Sequence, residues 1–135
     1  MDLITLDFET YYAQDFSLTK LTTEEYIRDP RFQVIGVGVK KNDDPTQWYA
    51  GEDARQAINA IDWGNTALLC HNTLFDGAIL SMVYGVCPAL YLDTLSMARA
   101  IHGVDAGGSL ATLVERYNLG AKGTEVLDAK GKRLE

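Results

Sequence analysis

The segment Leu3-Ile4-Thr5-Leu6-Asp7-Phe8-Glu9-Thr10 alternates in a way that leaves the chain few options. Side chains alternate across a β-strand, so Ile4, Leu6 and Phe8 take one face while Thr5, Asp7 and Glu9 take the other. Both carboxylates therefore share a side. A strand this apolar belongs inside a sheet, where two bare carboxylates are costly to bury. Without a counter-charge, one of them is expected to hold a proton at neutral pH. A divalent cation removes the conflict, and an all-oxygen donor set suits Mg²⁺ or Mn²⁺ rather than zinc. An isolated Asp-x-Glu fits equally well two solvated acids at the end of an edge strand. A second motif has to decide.

The 135 residues suit one domain, and 47% hydrophobic content is enough for a substantial core. The net charge of −7 counts against tight, unassisted binding to nucleic acid, although a bound cation inverts the local sign. Cys70 and Cys87 are too far apart to form a metal-type pair and read as reduced core thiols of a cytoplasmic protein. Asp2 and Asp7 interrupt the N-terminal apolar run, so no signal peptide is expected, and no run is long enough to span a membrane.

Thr22-Thr23-Glu24-Glu25 fits a capping box opening a short helix that Pro30 stops. Tyr11, Tyr12 and Phe16 are candidates to stack on bases, with core packing as the alternative. Gln33–Lys41 reads as a second strand and Thr46–Ala50 as a third, joined by the turn Asn42–Pro45 into an antiparallel meander. Gly36 and Gly38 lie within the second strand and mark a close backbone approach rather than a phosphate loop. Helical spacing follows over Glu52–Asp62, then a buried strand Ala67–Cys70, a helix Phe75–Tyr84 and a last strand Ala89–Leu92. Asp93 caps a helix running through Leu95, Ala98, Ile101 and His102. Ser109 caps the final helix, with Leu110, Leu113, Val114 and Tyr117 expected inward and Gly120 at its end. The sum is an α/β chain: a mixed sheet, antiparallel in its first three strands and then alternating β and α, with flanking helices. Residues 1–120 are expected to form the domain and 121–135 an extended or flexible tail.

The second motif is His71-Asn72-Thr73-Leu74-Phe75-Asp76, just past the strand Ala67–Cys70. Asp76 falls in the first turn of a helix, where the dipole favours an acid whether or not it binds a metal. It also lies at a strand's C-terminal end, where open α/β sheets bind their ligands.

Asp7-Phe8-Glu9-Thr10 followed by Asn72-Thr73-Leu74-Phe75-Asp76 resembles the first two motifs of the DEDD superfamily of 3′→5′ exonucleases. The longer phrases LTTEEYIRDPRF, HNTLFDGAIL and LDTLSMARAIHG are similar to the proofreading domain of bacteriophage family A DNA polymerases. The resemblance implies a ribonuclease H-like fold and hydrolysis of terminal DNA phosphodiesters with two Mg²⁺ or Mn²⁺ ions. It implies that Asp7 bridges the metals, that Glu9 binds the one generating the attacking hydroxide, and that Asp76 holds the one beside the leaving 3′ oxygen. It further implies that Thr10 and Asn72 position the 3′-terminal nucleotide of single-stranded DNA. Phe75 would pack against its base or, alternatively, in the core.

The superfamily's fourth carboxylate, in a Tyr-x-x-x-Asp or His-x-x-x-Asp helix, has no counterpart here. Tyr117 is followed four residues on by Ala121, and the acid after His102, Asp105, comes one residue early. The expectation is therefore weak or absent catalysis and one weak metal site. The other reading is a non-catalytic nucleic-acid or polymerase-interaction module keeping the same fold. A shortened chain, a split gene and a small protein with its own role are all open at this point. Apolar surface left by a missing helix would favour docking to a polymerase domain or to a second copy. His71, His102 and the capping acid Asp93 are expected to be structural.

Overall fold

The computed structural model describes residues 1–120. The tail expected at residues 121–135 lies outside them. The strands are β1 (Asp2–Thr10), β2 (Val34–Lys41), β3 (Gln47–Ala50), β4 (Thr66–Cys70) and β5 (Leu90–Asp93). The helices are α1 (Thr23–Arg28), α2 (Glu52–Asn59), α3 (Thr73–Tyr84), α4 (Thr94–His102) and α5 (Leu110–Tyr117). One sheet runs in the order β3-β2-β1-β4-β5. The β1–β2 and β2–β3 pairs are antiparallel, and β1–β4 and β4–β5 are parallel. This is the expected meander followed by β/α alternation, with β1 at the centre.

The alternation along β1 sorts its side chains as the sequence predicts. Ile4, Leu6 and Phe8 are buried, in one core with Val37, Leu68, Ile58, Ile79 and Leu80. Each such side chain contributes about 1.5–3 kcal/mol by leaving water. On the other face Asp7 is exposed, and Thr5 and Glu9 are half-buried.

The capping box forms. Glu25 N donates to Thr22 Oγ1 (3.2 Å) and Thr22 N donates to Glu25 Oε1 (2.9 Å), so two amides at the start of α1 are satisfied. The cap aims Tyr26 and Ile27 inward. Phe16 is fully buried and stacked on Tyr26 at 4.6 Å between ring centroids. It is a core residue, not a platform for a base. Tyr11 stacks on Phe16 in turn, at 6.0 Å.

Several expectations need correction. Helix α3 starts at Thr73, two residues before Phe75, because Thr73 Oγ1 donates to Leu92 O (2.6 Å) and pins the first turn to β5. Cys70 is buried as expected, but Cys87 is exposed, since it sits in the link between α3 and β5. Ile101 is 71% exposed, and α5 has no buried residue. Leu110, Leu113, Val114 and Tyr117 instead line an apolar groove of about 300 Å³ with Met97 and Ala98 of α4. Leu110 also borders a cavity against β1 and β4, while Leu113, Val114 and Tyr117 face the groove between the two helices. Helix α5 ends on Asn118, in the left-handed region at φ 54°, and not on Gly120. No helix among the described residues is long and apolar enough to cross a membrane.

Candidate active site

The parallel pairing of β1 with β4 stops at Thr5. Backbone amides beyond that point need other partners, since a buried orphan amide is costly. Asp76 supplies one: Phe8 N donates to Asp76 Oδ1 at 3.0 Å. Phe8 lies between Asp7 and Glu9, so the bond brings the third carboxylate to the middle of the Asp-x-Glu segment. A register shift between Glu9 and Thr10 ends the regular pairing with β2 at this same place.

The loop before α3 is built to deliver Asp76. Asn72 adopts the left-handed region at φ 70°, which Asn tolerates better than most residues. Asp93 Oδ1 accepts from Asn72 N (2.9 Å) while also capping α4 through Leu95 N (2.9 Å). Two loops are thereby tied to one carboxylate. Phe75 packs against the aromatic cluster, 6.1 Å from Tyr26, and fixes the rotation of the first turn.

The buried acid is thus Asp76, at 3% exposure, and not Asp7 or Glu9. The electrostatic conflict foreseen for the strand pair falls on it. Burial pushes its carboxyl up to about 7; the Phe8 amide opposes this, and the negative charges of Asp7 and Glu9 add to it.

At the end of β1, Thr10 Oγ1 lies 2.8 Å from Tyr26 Oη, and Tyr26 Oη donates to Tyr11 O. The phenol proton is spent on the carbonyl, so the Thr10 hydroxyl is the donor in the first bond. Asn72 is exposed, Thr10 is half-buried against Tyr26, and Phe75 is half-buried, packed against the core. His71, set aside in the sequence as structural, bonds Thr94 Oγ1 through Nδ1 at 2.8 Å. Its Nε2 is buried with no hydrogen-bond partner among the described residues, and His71 borders a cavity of about 310 Å³ together with Asp7 and Cys70.

Three carboxylates form a hard oxygen donor set of the kind Mg²⁺ and Mn²⁺ take, and the raised Asp76 marks a place where positive charge is wanted. Among the described residues, however, no three His, Cys, Asp or Glu side chains are gathered closely enough to enclose an ion. The donor chemistry fits, and the carboxylates are not drawn together around a centre.

A meander continued by β/α units, with β1 at the centre of a mixed five-stranded sheet, is a ribonuclease H-like fold. Solved structures agree. Brucella melitensis NrnC superposes with a TM-score of 0.64 at 15% identity, over 90% of this chain and 54% of that one. A structure described as the apo form of a nuclease gives 0.65 at 18% identity, over 92% and 56%. Brucella melitensis NrnC bound to pGG gives 0.59 at 15%, over 98% and 56%. The chain therefore spans little more than half the length of these proteins. No family model and no curated protein sequence matches it.

Proposed function

We propose that this chain carries the metal-dependent nuclease site of a 3′→5′ exonuclease acting on the free end of single-stranded DNA. The observation that carries this reading is the Phe8–Asp76 hydrogen bond, which brings a buried acid from a distant segment to the strand bearing Asp7 and Glu9. Asp7, Glu9 and Asp76 would hold the metal. Bound there, divalent ions supply an activated water and charge neutralisation at the leaving oxygen. Structures of the same fold contain Mg²⁺ or pGG in Brucella melitensis NrnC, which supports both the cofactor class and a nucleic-acid substrate.

The chain's own residues have definable tasks in this reading. Asp76 would give up its proton to a cation bound there. Asp7, exposed, and Glu9, half-buried, lie on the strand that Asp76 reaches and would supply the remaining oxygens. Thr10, its hydroxyl proton engaged by Tyr26, offers lone pairs as acceptors for a terminal hydroxyl. Asn72, its backbone amide held by Asp93, would meet the terminal nucleotide with its exposed side chain.

The test is degradation of a 5′-labelled single strand in Mn²⁺. Slow shortening by single nucleotides from the 3′ end, weak because only three of the four carboxylates are identified and abolished by Asp7→Ala and by Asp76→Asn, is the expected result. Degradation that survives both substitutions overturns the site. Binding of the strand without any shortening favours a non-catalytic nucleic-acid module.

A further inference from the structure

The aromatic residue best placed to meet a base is Trp48, which the sequence reading did not single out. In the sheet register Asp7, Gly38 and Trp48 form one row across β1, β2 and β3, and Glu9, Gly36 and Ala50 form the next. Residues in a row share a face, so Trp48 stands on the same side as the two acids. Its indole does not stay in its own row. A Cβ placed on Gly36 would lie 2.4 Å from Trp48 Cζ2, 2.6 Å from Tyr49 O and 2.7 Å from Trp48 Cη2. The ring therefore lies across Gly36, in the row that begins with Glu9, and only glycine there leaves room for it and for the neighbouring β3 backbone. Despite this seat the side chain is 54% exposed.

Gly38 and Gly36 keep the floor between the ring and the acids low. The result is a groove of about 530 Å³ bordered by Asp7, Glu9, Gly38, Lys40, Thr46 and Trp48. The Trp48 and acid backbones are two strand spacings apart, roughly 10 Å. Because the ring leans across Gly36, the β2 partner of Glu9, its edge comes to about one spacing from the strand of the acids. The groove thus offers an aromatic surface on one side and oxygen ligands on the other, with Lys40 on its border. A nucleotide, with base and phosphate on opposite sides of a sugar, can span such a groove. An exposed indole suits any base, because stacking uses the π-face that every base has.

We propose that Trp48, seated on Gly36, is a stacking platform for a nucleobase of the single strand whose phosphodiester lies at Asp7, Glu9 and Asp76, with Lys40 facing its backbone. This rests on the nuclease reading for the identity of the ligand, and it is tested separately from the metal site.

The probe is a four-nucleotide deoxyadenylate strand titrated into the full chain in Ca²⁺, read by tryptophan fluorescence. Trp63 is buried and serves as the internal constant. Saturable quenching is expected in the wild type; with a 5′-fluorescein strand read by anisotropy, affinity should be about tenfold weaker or more in Trp48→Ala and partly kept in Trp48→Phe. An abasic strand of equal length should bind like the wild-type strand binds Trp48→Ala. Equal affinity of the strand for wild type and Trp48→Ala overturns the platform and leaves the metal site untouched. Concentration-dependent dimerisation that Trp48→Ala abolishes, with no quenching, overturns it in favour of a protein-packing surface. Quenching that persists in Asp7→Ala while Mn²⁺ binding is lost supports the platform. Quenching in a chain that binds no Mn²⁺ at all would sink the metal reading and spare the platform.

Discussion

Phe8 and Asp76, far apart in the chain, are joined by a buried hydrogen bond of 3.0 Å from a strand amide to a helix carboxylate. The same carboxylate satisfies an amide that β4 no longer reaches and faces the charges of Asp7 and Glu9. Structure and chemistry are therefore linked through one side chain, and pH should reveal the link. Folding raises the Asp76 carboxyl from 3.8 to about 7. Between these values the folded chain binds a proton that the unfolded chain does not. Its contribution to stability is full below pH ~4 and is lost as pH rises through ~7, on the order of 4 kcal/mol in total. Urea denaturation in chelator should show this fall. Asp76→Asn, whose carbonyl can still accept from Phe8, should flatten it and be the more stable protein at pH 8.

Asp7 is exposed and outside the core, so Asp7→Ala should leave the urea midpoint nearly unchanged. Where wild-type turnover is measurable, the rate should fall by more than the roughly 10–100-fold typical when an outer partner of a metal ligand is removed. A large loss of stability instead would mark Asp7 as a structural acid.

Asp93 holds Asn72 N and Leu95 N at once. Asp93→Ala removes a helix cap, which costs about 1 kcal/mol, and also releases the loop leading to Asp76. Denaturation should show the cap loss, and strand binding should weaken with it. Asp93→Asn, which can still accept from both amides, should recover most of each.

Tyr26 links Thr10 to the carbonyl of Tyr11 within an otherwise apolar aromatic cluster. Tyr26→Phe keeps the packing and strands two polar groups, at a cost of about 1–3 kcal/mol. If Thr10 meets the terminal nucleotide, KM should rise in this variant more than kcat falls.

The two thiols should differ sharply. Burial, followed by the charges of Asp76 and Asp7, pushes the Cys70 thiol far above its ordinary range, whereas Cys87 is exposed. A thiol reagent at pH 8 should label Cys87 in the native chain and Cys70 only after unfolding.

The sequence exposes whatever depends on neighbours along the chain. The alternation in β1, the Thr22–Glu25 box and the Asp93 and Ser109 caps are local, and the structure contains all of them. Less legible was anything set by partners across the fold. Asp76 reads as a helix-start acid, and nothing in its neighbourhood tells that the Phe8 amide will bury it. Phe16 reads as a candidate stacking residue because aromatic composition cannot tell a loop from the core beneath it. Gly36 and Gly38 mark a close approach in the sequence, but nothing local names Trp48 as what approaches; its indole reaches Gly36 across the β2–β3 pair. The apolar periodicity of α5 is real, but periodicity says only that a face is apolar, not what lies opposite.

The central claim is that acids from β1 and α3 share a cation. Titration of Mn²⁺ into the full chain at pH 7.5, followed by electron paramagnetic resonance of the free ion, tests it most directly. The account predicts saturable uptake with proton release, weakened about tenfold or more by Asp7→Ala and by Asp76→Asn alike. Uptake that is equal in wild type and both variants, or no uptake by the wild-type chain, would contradict it.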